Sequence, residues 1–587
     1  MAVIYRVNMS DLSVRSEEAS KSYAELGGRG LTSAIVGAEV PATCHPLSAE
    51  NKLVLAPGIL SGTGAPCSGR ISAGAKSPLT GTIKEANAGG QGAIALATAG
   101  VAALVLEGKP AEVVEEGKPA HRKLYRLIVN HEGVKIEPAD ELAGLGNYAL
   151  VAKLFEEFGD KVCCISIGQA GEMQCAAASI AVTDPEGRPT RHCGRGGLGA
   201  VMGSKGVKAI IVDPTGGERP KPADPEKFKA GVKKFNDALK NHETTNEGLP
   251  TFGTNVLANV INAAGAYPTR NFAKGTFEGT EAISGERQHD LIEERGGEIA
   301  HACHKGCTIK CSRIYLDKDG NYITKGPEYE TVWAHGAHCE IDDLDAIARM
   351  DYLDDDFGLD TIETGVTIGV AMDAGIIPFG DAEAAIGLLE EVGKGTPLGR
   401  LVGSGAEVLG KTYGVSRIPT VKGQAMPAYD PRAIKGIGVT YATSTMGADH
   451  TAGYAVASNV LGCGEEVDPL KAEGQVDLSR DFQIATTSLD VVGLCIFVAF
   501  PLLDDPTTLE GVCEMLSGFY GREITQDEYL GIGKHTLGVE RKFNSEAGFT
   551  ALDDRLPDYF KNEKLPPHSA TFDVSDEELD TLYNFVE

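Results

Sequence analysis

The chain has 587 residues, 42% hydrophobic and 23% charged, enough for two to four domains with a sizeable core. Its 54 basic and 83 acidic side chains give a net charge of −29, which excludes non-specific nucleic-acid binding and anchoring to anionic lipid. Thirteen cysteines, an odd number, read as intracellular thiols and metal ligands, and no run of about 18 apolar residues offers a membrane span, so a soluble cytoplasmic protein is expected.

From the N-terminus, Met1-Ala-Val-Ile-Tyr-Arg-Val7 alternates like a first strand, not like a secretory leader. Short apolar runs follow at Lys52–Pro57, Ala102–Glu107 and Lys208–Asp213, with glycine-dense turns between them, the pattern of a β-rich domain. The 73 glycines cluster in particular loops without a period, which points to backbone closely approaching a ligand or another chain segment. Pro214–Pro222 is a polar, turn-rich joint. Beyond it, helical periodicity predicts helices over Pro225–Leu239, Asp343–Phe357, Ala382–Val392 and Ser575–Phe585, with a soft boundary near 415–424. The expected fold class is α+β: a β-rich domain over 1–212, then two mainly α-helical domains over 213–417 and 418–587.

Chemistry concentrates first in His301-Ala-Cys303-His-Lys-Gly-Cys307-Thr-Ile-Lys-Cys311. Three thiols at four-residue intervals suit one soft metal centre, and an iron–sulfur cluster held by four thiolates is the usual occupant. The triplet is one ligand short. An internal repeat, Asp355-Asp-Phe-Gly-Leu-Asp360 and Asp490-Val-Val-Gly-Leu-Cys495, shares the pattern Asp-x-x-Gly-Leu-(Asp/Cys) and suggests two equivalent halves of a ligand. Its carboxylates suit ring N–H or amine donors. The second copy nominates Cys495 as fourth ligand, against the plainer reading of a buried thiol in an apolar run.

These motifs, in order, resemble the aldehyde ferredoxin oxidoreductase family of tungsten enzymes almost end to end. The likeness is carried by Gly27-Gly-Arg-Gly-Leu31, Gly69-Arg70, Lys76–Gly81, Asn87-Ala-Gly-Gly90, Arg191, Gly194–Gly199, Met202–Lys205, Gly326–Thr331, both Asp-x-x-Gly-Leu motifs and Ala442-Thr-Ser444…His450. The resemblance implies a tungsten (or molybdenum) ion on two pterins, beside a [4Fe–4S] cluster on Cys303, Cys307, Cys311 and Cys495, with the β-rich domain as the cofactor's base. It implies that Asp355 and Asp490 hold the pterins, in motifs that include Leu359, Asp360 and Leu494. Arg70 would lie between the cluster and one pterin. Asn87, Gly89, Arg191 and Gly194 would line the pterins and their phosphates, which Mg2+ would bridge. One departure stands out: the family's first two cysteines are usually separated by two residues, here by three.

By motif, Glu330 and His450 match the family's residues beside the metal. Glu330 is expected as the base and His450 as the donor to developing oxygen charge, with Glu328 the lesser candidate. Without the resemblance, His450 reads as an ordinary core or surface histidine. His335 and His338 lack a third ligand for zinc, and Cys163-Cys164 read as packed strand residues. The expected function is oxidation of aldehydes to acids, with electrons leaving through the cluster to ferredoxin or to dedicated iron–sulfur or flavin partner subunits. Two alternatives are the catalytic subunit of a larger tungsten complex reducing an aromatic thioester, and an electron-transfer protein without pterin.

Overall fold

The computed structural model describes residues 2–19, 23–113 and 121–586. The N-terminal region builds two six-stranded sheets. The first comprises β1 (Val3–Asn8), β2 (Ser13–Glu18), β3 (Leu53–Pro57), β4 (Ile71–Lys76), β5 (Ile83–Ala88) and β6 (Val101–Glu107), in the order β2-β1-β6-β3-β4-β5. The second comprises β7 (Tyr125–Asn130), β8 (Gly133–Pro138), β9 (Cys163–Ser166), β10 (Ile180–Val182), β11 (Arg191–Cys193) and β12 (Val207–Val212), in the order β8-β7-β12-β9-β10-β11. The two orders are the same permutation. In each sheet the first and last strands pair in parallel and every other pairing is antiparallel.

Burial explains which runs become central. Leu53–Pro57 and Val207–Val212 are buried along their whole length, whereas the edge strand Ser13–Glu18 is exposed throughout and carries the charge that discourages further pairing. Cys163 and Cys164 are packed, unpaired strand residues, as expected. The inner-edge strands β5 and β11 meet, and they bring Asn87 and Arg191–His192 to the junction with the helices.

The C-terminal region is mainly helical, in accord with the α+β expectation. Elements used below are α1 (Gly28–Glu39, on the first sheet), α2 (Tyr329–His335), α3 (Leu344–Phe357), α4 (Thr361–Asp373), α5 (Gln475–Val492) and α6 (Gln526–Glu546). Asp343 caps α3 by accepting from the Asp345 and Ala346 N–H groups. Two differences from expectation have local causes. Ser575–Phe585 is helical only over Asp576–Leu579, despite its capping box: beyond it the Thr581, Leu582, Asn584 and Val586 N–H groups bond three residues back in tight turns, while Arg480 donates to the Thr581 and Leu582 carbonyls. The cysteine triplet lies in no helical block; it forms the loop between β13 (Glu298–His301) and β14 (Ser312–Leu316), which pair with β15 (Tyr322–Thr324) in a small sheet.

Candidate active site and metal centre

Both Asp-x-x-Gly-Leu motifs end a helix in one way. Gly358 after α3 and Gly493 after α5 adopt φ of +74° and +81°, where glycine is favoured. The N–H groups of Leu359 and Leu494 then reach back five residues, to the carbonyls of Asp354 (2.8 Å) and Leu489 (3.1 Å). Each aspartate therefore sits on the last helical turn. The sixth residue opens the next element: the Asp360 carboxylate caps α4, and Cys495 precedes a short 3-10 turn. Leu359 and Leu494 are buried packing residues.

The aspartates face one cavity of about 290 Å3, lined also by Arg29, Lys84, Asn87 and Gly194. Asp355 takes the Lys325 ammonium at 2.9 and 3.1 Å and His192 Nε2 at 3.1 Å; Lys325 also holds Asp351. Burial works to raise the Asp355 carboxyl, but Lys325 and His192 hold it below the ordinary value. Asp490 accepts from Arg29 at 3.2 Å and from Asn87 at 3.1 Å, while Arg29 is forked onto Glu540 of α6 at 2.8 and 2.9 Å. Less well served, Asp490 is pushed by burial up to about 6. Two further pairs line the cavity, Arg195–Asp360 and Lys84–Asp449, both at 3.3 Å or less.

Close backbone approach explains several glycines. A Cβ on Gly28 would lie 2.2 Å from the Asp490 carbonyl, and one on Gly89 would lie 3.1 Å from Cys303 Sγ. Gly194 is different: a Cβ there meets nothing within 4 Å, so the space before it is open.

Cys303, Cys311 and Cys495 line an adjoining cavity, and the donors of Cys303, His304 and Cys307 lie within 4.8 Å of one another. Arg70 donates to Asn87 (Nε to Oδ1, 2.7 Å), and its remaining face is turned to Cys495 and Cys303. Asn87 thus bridges Arg70 to Asp490. Arg191 donates to Ser312 at 2.5 Å, and its buried Nε has no partner among the described residues.

Glu330, on α2, accepts from the Ala428 N–H at 3.0 Å, and its Oε1 lies 3.5 Å from His450 Nε2. Glu330 Oε1 and His450 Nδ1 have no hydrogen-bond partner among the described residues. Burial pushes Glu330 up to about 8 and His450 down to about 4, so near neutral pH the pair carries one proton, on Glu330. Glu328 lies on the other side of the chain, toward Thr254 (2.7 Å), Arg191 and Cys311. His335 pairs with Asp354 at 2.7 Å and His338 packs on Trp333 and Phe272, away from the cavity.

The Glu330–His450 pair also lines the adjoining cavity, of about 430 Å3, together with Tyr429 and Tyr454, whose hydroxyls are 2.8 Å apart, and with Phe482, Phe497, Phe500 and Leu503. Sequence reasoning did not nominate these residues, nor Lys325, His192 and Arg29. For Lys325 a signal existed: Asp351 and Asp355, four residues apart, share one helical face and call for a cation.

Comparison with known proteins gives the family. The family profile "Aldehyde ferredoxin oxidoreductase, N-terminal domain" matches residues 4–214, and "Aldehyde ferredoxin oxidoreductase, domains 2 & 3" matches 230–586. The chain is 36% identical to the tungsten-containing aldehyde ferredoxin oxidoreductases of Pyrococcus horikoshii and Pyrococcus furiosus, covering 96% of this chain and 92% and 91% of theirs. It is 26% identical to the aliphatic sulfonate oxidoreductase, WOR-like subunit, of Pyrococcus furiosus, over 90% of this chain and 82% of that one. Among solved structures, the active site complex BamBC of benzoyl coenzyme A reductase superimposes with a TM-score of 0.80 at 20% identity, covering all of this chain and 94% of that one, a likeness of fold. By sequence over nearly its whole length, this chain is a member of the aldehyde ferredoxin oxidoreductase family.

Proposed function

We propose that the chain oxidises aldehydes to carboxylic acids with a tungsten bis-pterin cofactor, sending electrons through a [4Fe–4S] cluster to ferredoxin or a partner subunit. The gathering of both Asp-x-x-Gly-Leu aspartates, of Cys303, Cys311 and Cys495, and of the Glu330–His450 pair around two adjoining cavities that share Arg70, His192 and Lys325 carries this reading. The residues fit the cofactor. Carboxylates stand ready for ring N–H groups, the backbone at Gly194 is open for close approach, and Arg191 keeps a buried N–H unpartnered for an anion such as phosphate, which Mg2+ would bridge. All thirteen cysteines are unpaired, which supports a reducing, cytoplasmic setting, and no described helix is long and apolar enough to cross a membrane.

Aldehyde and water become carboxylic acid, two protons and two electrons. When bound, the metal–pterin group supplies the two-electron oxidation and the cluster the electron outlet. The chain's own residues manage protons and placement. Glu330, once ionised, takes a proton from water or the hydrated aldehyde, and His450, 3.5 Å away, exchanges protons with it and donates to the carbonyl oxygen. Because Glu330 sits at about 8, its base form grows as pH rises through that value, and so should the rate. The Tyr429–Tyr454 pair and the phenylalanine-lined cavity exclude water and favour apolar aldehydes.

The test is elemental analysis together with aldehyde-dependent viologen reduction. Iron near four and one tungsten per chain with dye reduction supports the reading; iron without tungsten or molybdenum sinks it. Glu330→Gln should cost roughly 10^2–10^4 in rate with metals intact. Along a series of straight-chain aldehydes, kcat/KM should rise about fourfold per methylene, from ~0.8 kcal/mol per buried CH2.

A further inference from the structure

Seven carboxyl groups line the cavity that the two motif aspartates face, and six of them accept hydrogen bonds or ion pairs from the chain itself. The seventh, Glu85, does not. It is 5% exposed, and its Oε1 is buried with no hydrogen-bond partner among the described residues. Strand register puts it there. On β5 it stands two residues before Asn87, so both side chains occupy one face of the edge strand, opposite Gly74 and Ser72 of β4. That face is covered by α1, where a Cβ on Gly74 would lie 2.5 Å from Thr32. The cation on that side is Arg29, one turn before Thr32, and all three of its nitrogens already donate, two to Glu540 and one to Asp490. Lys84, next to Glu85 in the chain, turns to Asp449. Ser72 is the hydroxyl within reach; its Oγ makes no bond, and one hydroxyl serves only one of two carboxyl oxygens.

A buried polar group left without a partner is costly, and one that faces a cavity points to a ligand that completes it. The state of the carboxyl says which kind. Burial, with the Asp490 charge adding to it, pushes Glu85 up to about 8, so it keeps its proton at neutral pH. A neutral carboxyl offers one O–H donor and one carbonyl acceptor side by side. Its complement is a ring amide, with N–H beside C=O, or a ring amidine, with an amino group beside a bare nitrogen. The pyrimidine edge of a pterin carries both. Asp490 accepts from N–H groups, whereas Glu85 can give and take at once. The Asp355 side has no counterpart, because its additional acid, Asp351, is held by Lys325 at 2.9 and 3.0 Å.

We propose that Glu85 is a further cofactor-binding residue, its carboxyl pairing with a ring-amide or amidine edge of the pterin on the Asp490 side. This rests on the bis-pterin reading above. The test measures tungsten, iron and pterin in the purified holoenzyme, the last by fluorescence after oxidation, and then the rate at which pterin is released on warming. Glu85→Leu should release pterin about tenfold faster than wild type, the loss of a paired donor and acceptor. Glu85→Gln, whose amide keeps one donor and one acceptor, should stay within about twofold of wild type. Iron should be unchanged in both, and cofactor-free Glu85→Leu should unfold at no lower temperature than wild type, since it removes a buried unpartnered group. Wild-type release from Glu85→Leu overturns the proposal. Equal loss from Glu85→Gln and Glu85→Leu overturns it too, by requiring the charged form. A lower cofactor-free midpoint in Glu85→Leu overturns it by assigning the side chain to the fold. If leucine does not fold, Glu85→Ala, which overfills nothing, takes its place with the same expectations. A wild type without pterin ends the cofactor reading and this proposal with it; a loaded wild type beside an unaffected variant sinks this proposal alone.

Discussion

The two Asp-x-x-Gly-Leu motifs use one helix-ending device and then diverge. Each aspartate meets one cation shared with a second carboxylate, Lys325 with Asp351 and Arg29 with Glu540, and one polar side chain from an inner-edge strand, His192 or Asn87. The strengths differ. Lys325 lies within 3.1 Å of both Asp355 oxygens, so Asp355 is a fixed anion; Arg29 is committed to Glu540, and Asp490 sits at about 6. The last motif position differs in kind, Asp360 or Cys495. A duplicated frame thus offers a permanently charged floor on one side and, on the side of the cysteines, a floor close to its own titration.

The sharpest way to break this comparison is to copy the first motif onto the second. Cys495→Asp should lose cluster iron and lower aldehyde-dependent dye reduction by more than 100-fold, read by iron analysis and assay; a variant with four irons and normal rate would remove Cys495 from the ligand set. Next in size, Lys325→Met leaves Asp351 and Asp355 buried without their cation, at a cost of about 3–5 kcal/mol in the thermal unfolding of the cofactor-free protein. Arg29→Met should cost less. Glu540 keeps hydroxyl donors from Ser33 and Thr445, and Asp490 needs little to take a proton. Equal losses would erase the difference between the halves.

Much of this arrangement was legible in the sequence. Glycine-punctuated apolar runs marked the strands, helical periodicity marked α3, and the motif repeat matched two equivalent helix ends. What escaped was set by distance along the chain. Asp490 meets Arg29 461 residues away, and no local pattern encodes that pairing. The shared strand order of the two sheets was equally hidden, because topology arises from long-range pairing while each strand shows only its own burial. The last helix gives way to three-residue turns after Leu579, a change of bonding that its capping box does not foretell.

Smaller effects sharpen the contrast through pH. The Asp490 carboxyl is raised in the fold, so its unfavourable ionisation costs stability as pH rises from about 4 through about 6. Asp490→Asn lacks that cost, and its unfolding free energy relative to wild type should improve between pH 5 and pH 7.5 by about 1–3 kcal/mol. Asp355 is lowered, so its contribution is present above the ordinary carboxylate range and lost only as pH falls below it. Asp355→Asn should therefore be destabilised across the same window, and parallel pH curves for the two variants would contradict the assignment. Smallest of all, Asp343→Ala should cost about 0.5–2 kcal/mol as the lost cap of α3, with cluster iron unchanged.

The glycine contacts across the cavity carry a consequence for manufacture. A Cβ on Gly58 would lie 2.2 Å from Gly493, and one on Gly28 equally close to the Asp490 carbonyl, so the first sixty residues and the last hundred touch backbone to backbone. A ribosome that has released four hundred residues has delivered both sheets and the Asp355 floor, and the opposing floor is still unmade. The compartment exists only once the second motif has been added, so whatever fills it enters after residue 495 has left the ribosome, when the two regions that enclose it can meet.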